Sequence, residues 1–133
     1  MREIKFRGWN GKNKKWIYGY YFVNRGEHFI SPDEVVNPLV SYNDFVVDKD
    51  SIGQYTGLKD KNGVEIYEGD IVLYRGYNGQ MKATVVFSHG CFNVGFHQGR
   101  STTRALILLN PKMEVIGNVH ENHELMKGGS REA

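Results

Sequence analysis

A chain of 133 residues suits one folded domain that buries about two thirds of the surface its unfolded form would expose. Its single cysteine, Cys91, excludes an internal disulfide and a cysteine-rich metal site, and no stretch approaches the ~18 apolar residues of a membrane-spanning helix. The net charge of +2 is divided unevenly, with +6 over residues 1–26, −7 over 27–70 and +3 over 71–133, a balance short of the strongly basic domain expected of a dedicated nucleic-acid binder.

The start, Met1-Arg2-Glu3-Ile4-Lys5-Phe6-Arg7, is charged and alternating with no apolar run behind it, so no signal peptide is expected and a cytoplasmic setting fits best. Ile4 and Phe6 alternate with Lys5 and Arg7, Asn10-Gly11-Lys12-Asn13 supplies a turn, and Trp16, Tyr18, Tyr20 and Phe22 recur every second residue; together these predict a hairpin. The same alternation places Trp16, Tyr18 and Phe22 in the core, because aromatic rings pack well on a pleated surface. Lys12, Lys14 and Lys15 are expected to solvate the turn, with phosphates or an acidic partner as the alternative ligand. A second turn at Asn24-Arg25-Gly26 leads into His28-Phe29-Ile30, which Ser31-Pro32 ends. Beyond Pro38, the runs 39–42 and 45–47 read as short edge strands or a long ordered excursion.

Residues 52–72 are the most informative stretch. Gly57, Gly63 and Gly69 permit positive backbone dihedrals, and Asp60-Lys61-Asn62-Gly63 has the composition of a turn closing Leu58 against Val64. Glu68-Gly69-Asp70 reads as a corner whose aspartate accepts backbone N–H bonds and fixes the entry of Ile71-Val72. The rival reading gathers Asp60, Glu65, Glu68 and Asp70 around Mg²⁺ as in a carboxylate-dependent hydrolase, but no Lys or His accompanies them in a phosphate-cleaving pattern.

From Asp70 onward the rhythm is regular, with short strands predicted over 70–74, 82–88, 92–96, 105–109 and 115–119, separated by turns that include Gly76-Tyr77-Asn78-Gly79 and residues 98–103. Five short strands with tight connections predict an SH3-like small barrel. A short helical turn is expected over 122–127 and a loose tail over 128–133. The expected fold is therefore all-β: one domain over 1–127, with an N-terminal hairpin and meander over 1–50 and the barrel over 51–127.

The opening Ile4-Lys5-Phe6-Arg7-Gly8-Trp9, the central Gly53-Gln54-Tyr55-Thr56-Gly57-Leu58-Lys59-Asp60-Lys61-Asn62-Gly63 with Glu65-Ile66-Tyr67-Glu68-Gly69-Asp70-Ile71-Val72, and the late Ile116-Gly117-Asn118-Val119-His120-Glu121-Asn122 resemble the YopX family of bacteriophages and prophages. The resemblance runs in the family's order from residue 4 to about residue 125. Gly8, Asn10 and Trp16 depart from the residues usual there, outside the central block. It implies a phage or prophage origin and a shared fold, and it brings no activity, cofactor or site residue with it.

Chemistry-bearing side chains elsewhere make weak constellations. His120 and His123, three apart with Glu124, could hold a metal on a helix, but surface polarity at a helix start is the favoured reading. Cys91 and His97, six positions apart on one strand, stand about 20 Å from each other and make no nucleophile pair. Cys91 with His89 across a turn stays open, without an orienting third group. Tyr74, Tyr77 and Phe92 could join the aromatics of 16–22 in a groove that stacks bases or a proline-rich peptide.

Three functional expectations follow. The leading one is a non-enzymatic, self-associating binding module that needs no cofactor and contacts a phage or host macromolecule. The second is a nucleic-acid binder using Lys12, Lys14, Lys15, Arg75, Lys82, Arg100 and Arg104 with Tyr77. The third is a metal-dependent hydrolase on Asp60, Glu68 and Asp70.

Overall fold

The computed structural model describes residues 3–32, 42–76, 79–88, 90–97, 101–105 and 112–122. The described residues are built almost wholly of strands in two antiparallel sheets with one short helix, the all-β class expected. The chain divides into two compact units, Met1–Tyr55 and Thr56–Ala133.

The first unit holds β1 (Phe6–Asn10), β2 (Lys15–Asn24), β3 (Glu27–Ser31) and the start of β4 (Gly53–Lys59), with single 3-10 turns at Asn43–Phe45 and Lys49–Ser51. Asn10 sets the β1–β2 turn, its Oδ1 accepting the Asn13 N–H at 2.6 Å, as the Asx geometry of a turn residue allows. β2 spans about 30 Å and changes partner midway. Its pairing with β1 ends at Phe6↔Gly19, and its pairing with β3 begins at Tyr20↔Ser31. Glycine is required at the changeover: φ at Gly19 is 152°, and a Cβ there would run into the Ser31 carbonyl oxygen.

The core of this unit is Ile17, Ile30 and Val47, with Phe6, Phe45 and Ile52 packed against it. This reverses the expectation for Tyr18, which is 48% exposed, and Tyr20 beside it is 42% exposed. The cause lies across the ladder. Ile17 pairs with Gly8, and the missing side chain at Gly8 admits Val47, so Ile17 is covered while Tyr18 is not; farther along the strand Tyr21 and Val23 are exposed. Trp16 is half-buried edge-on to Trp9, and Phe22 is half-buried in a stack on Phe29 at 4.9 Å. Residues 33–41 lie outside the described residues. The run 45–47, expected as a short edge strand or part of a long ordered excursion, makes one isolated bridge, Phe29↔Val46, next to the 3-10 turn that ends at Phe45.

The second unit takes the rest of β4, β5 (Glu65–Tyr67), β6 (Asp70–Gly76), β7 (Gly79–Ser88), β8 (Cys91–His97), β9 (Ser101–Ala105), β10 (Met113–Asn118) and α1 (Val119–Asn122). The order β10-β6-β7-β8-β9 makes a meander whose last strand returns to pair with the first, the connectivity of a small barrel. Ile66, Val72, Ala83, Val85, Val94 and Met113 form its core, and the neighbours Ile71, Thr84 and Asn93 are buried as well, so the middle of this sheet is covered on both faces.

β9 occupies 101–105, so residues 101–103, expected in a turn, are strand; its register runs from Asn93↔Ala105 to His97↔Ser101 and includes Thr102 and Thr103, residues suited to strands. Residues 106–110 lie outside the described residues. A helical turn starts at Val119, where Asn118 caps it, and the turn expected over 122–127 falls, beyond Asn122, outside the described residues. Asn118 Oδ1 accepts the Glu121 N–H (2.9 Å) while its Nδ2 donates to Glu121 Oε1 (3.1 Å), a variant of the capping box written in Asn118-Val119-His120-Glu121. Residues 123–133, including the expected tail, lie outside the described residues.

Candidate interaction surface

The central motif is organised around one carboxylate. Asp60 is 6% exposed; its Oδ1 accepts the N–H groups of Asn62 (2.8 Å) and Val64 (2.9 Å), and its Oδ2 accepts that of Val115 (2.9 Å), 55 residues away on β10. The Asp60 N–H donates to the Val64 carbonyl and the Gly63 N–H to the Asp60 carbonyl, closing the turn. Gly63 there has φ 83°, a region costly for other residues. Both oxygens of Asp60 thus face backbone donors, which is the geometry of a staple and leaves the carboxylate poorly disposed toward a cation.

Glu68-Gly69-Asp70 forms the next corner. Asp70 is 1% exposed and its Oδ2 accepts the Tyr67 N–H at 2.7 Å, while the Gly69 N–H donates to Val85 and the Gly69 carbonyl accepts from Val119. Glu68 is half-buried, and Gly57 and Gly69 also hold positive φ. Glu65 accepts a hydrogen bond from the Tyr67 hydroxyl at 3.1 Å. Among the described residues no group of three His, Cys, Asp or Glu side chains converges.

The other chemical candidates are likewise dispersed. Cys91 is exposed, its Sγ donating to Asn93 Oδ1 at 3.6 Å. His89 and His123 lie outside the described residues, and His120 is half-buried on α1. Of the expected cationic set, Arg75 and Lys82 are neighbours on one face of the β6–β7 ladder, opposite Gln80 and Leu73 respectively. Arg104 pairs with Val94 in β9, and Tyr77 and Arg100 lie outside the described residues. Lys14 and Lys15 belong to the other unit.

The first unit offers two surface features. One is an open cleft of about 460 Å³ lined by Asn10, Gly11, Lys12, Asn43, Val46, Val47 and Asp48. Its polar groups bond one another: Asn10 Nδ2 donates to the Asp44 and Val46 carbonyls, both at 2.9 Å, and Lys12 Nζ meets Asp44 Oδ1 at 3.3 Å. The other is β2 itself. Tyr18, Tyr20, Tyr21 and Val23 are all exposed, between an exposed Lys14-Lys15 pair at one end and an exposed Arg25 at the other. Arg7, opposite Tyr18 in the ladder, lays its guanidinium over the Trp16 ring at 4.6 Å. Tyr21 lies between Phe6 and His28, its hydroxyl 2.6 Å from His28 Nδ1.

Aromatic residues at every second position were visible in the sequence, but the exposure of Tyr18 and Tyr20 among them was not. The signal that could have given it is Gly8: a glycine directly across the ladder from Ile17 marks a close approach on Ile17's face.

Among the described residues no helix is long and apolar enough to cross a membrane. No curated protein matches the chain significantly. Among solved structures, the crystal structure of protein EF1440 from Enterococcus faecalis is similar at 27% identity and a TM-score of 0.60, over 95% of this chain and 99% of that one. The family model for YopX protein matches residues 5–127, nearly the whole length, and the chain belongs to that family.

Proposed function

We propose that the chain is a non-enzymatic binding module, encoded by a phage or prophage and working in the bacterial cytoplasm, that contacts another macromolecule and its own copies through β2. The observation that supports this reading is the run of exposed aromatic and aliphatic side chains on that strand, Tyr18, Tyr20, Tyr21 and Val23. Apolar surface gathered on one element is the usual mark of a contact site, and tyrosine suits it because the ring buries area while the hydroxyl stays wet. The buried acidic residues of the central motif serve architecture in this reading, since Asp60 and Asp70 accept backbone hydrogen bonds.

Light scattering across a concentration series, with and without Tyr18→Ala/Tyr20→Ala, tests the reading together with photo-crosslinking from position 20. A mass rising above the 15.2 kDa of one chain, reduced by the double variant, is the expected result. A constant 15.2 kDa with no crosslinked macromolecule would sink it.

A further inference from the structure

We infer that the macromolecule taken up by β2 is a single-stranded nucleic acid, its bases stacked on Tyr18 and Tyr20 and its phosphates held at the two ends of the strand. This deepens the binding-module reading and rests on it. Two independent observations meet on β2.

The first is charge. From Asn10 to Gly26 the chain contains no acidic residue, against Lys12, Lys14, Lys15 and Arg25. Lys12 is paired with Asp44, while Lys14, Lys15 and Arg25 are exposed. Cations at both ends of a strand about 30 Å long suit a linear polyanion lying along it better than a compact acidic group.

The second is ring spacing. Tyr18 and Tyr20 are 48% and 42% exposed and two residues apart, so they share a face with a separation of about 7 Å. Each can take one base of an extended strand, and such stacking tolerates any base because all have a π-face. A duplex keeps its bases stacked on one another and cannot use the rings, so the surface selects single strands.

The experiment is a fluorescence-anisotropy titration of the full chain with labelled decathymidylate, decauridylate and a ten-base-pair duplex at several salt concentrations. Three phosphate contacts predict a slope of log K against log salt of about −2 for single strands, falling to about −0.7 in Lys14→Gln/Lys15→Gln. Tyr18→Ala/Tyr20→Ala is expected to weaken binding at least about tenfold with the slope kept, and Tyr18→Phe/Tyr20→Phe to restore it, because the stack needs the ring and not the hydroxyl. The duplex binds weaker than either single strand, and the two single-strand arms distinguish DNA from RNA. Unchanged urea midpoints show that these exposed-site variants remain folded.

Equal binding of the duplex, equal binding of an oligoaspartate peptide, or loss of binding in Arg75→Gln/Lys82→Gln to the same extent would each overturn the inference. If no single strand binds but self-association sensitive to Tyr18→Ala/Tyr20→Ala persists, the nucleic-acid inference falls and the binding-module reading stands. If both are absent, both fall.

Discussion

Asp60 is where the central motif can be tested most sharply, because one side chain ties the β4–β5 turn to β10. Asp60→Ala leaves three backbone N–H groups, those of Asn62, Val64 and Val115, without their acceptor. A hydrogen bond to a charged acceptor contributes about 1.5–3 kcal/mol. Asn62 and Val64 are exposed, so water can replace part of the loss at the turn, whereas Val115 is half-buried. The expected cost is therefore about 3–5 kcal/mol, below a simple threefold count.

Asp60→Asn is the informative companion. Its oxygen can still serve Asn62 and Val64, but its amide nitrogen then faces the Val115 N–H, donor against donor, and the expected cost is about 1.5–3 kcal/mol. With a urea m-value of about 1.5 kcal/mol per molar, the midpoint drops by roughly 2–3 M for the alanine and 1–2 M for the asparagine, at unchanged slope. Tryptophan fluorescence and far-UV circular dichroism read the transition. Midpoints within about 0.3 M of wild type for both variants, or equal losses in both, would refute the staple. A wild-type-like midpoint joined to lost Mg²⁺ uptake in calorimetry would favour the hydrolase reading instead.

Gly19→Ala should cost about 2–4 kcal/mol in the same assay, since the Cβ meets the Ser31 carbonyl in a backbone region unfavourable to side chains; a change under about 0.5 kcal/mol would contradict the changeover geometry. Asn10→Ala removes two donated bonds and one accepted bond of a side chain that is 1% exposed, for an expected loss of about 2–3 kcal/mol and faster amide exchange at Asn13. Lys12→Ala breaks only an exposed ion pair with Asp44 and should move stability by less than about 0.5 kcal/mol; a larger effect would give that pair a structural role.

Local grammar made much of this fold readable. Asn10-Gly11-Lys12-Asn13 and Asp60-Lys61-Asn62-Gly63 specify turns whatever surrounds them, because Asx side chains and glycine solve the backbone problem within four residues. The strands β6, β7, β8 and β10 followed from short runs set between turn-permitting residues, and the family followed from the order of three motifs. The start of the helical turn at Val119 is also written locally, in the Asn118 and Glu121 pair.

What the sequence determined by itself is thus what depends on neighbours a few residues apart: turns, strand periodicity and the all-β class. Only the tertiary structure decided that β2 buries Ile17 and leaves Tyr18 exposed, because alternation fixes a period and not a direction. The direction came from Val47 filling the space over Gly8. It likewise decided that Asp60 bonds Val115 across 55 residues, since a carboxylate's third partner is set by which strand the fold brings beside it and leaves no trace in local composition.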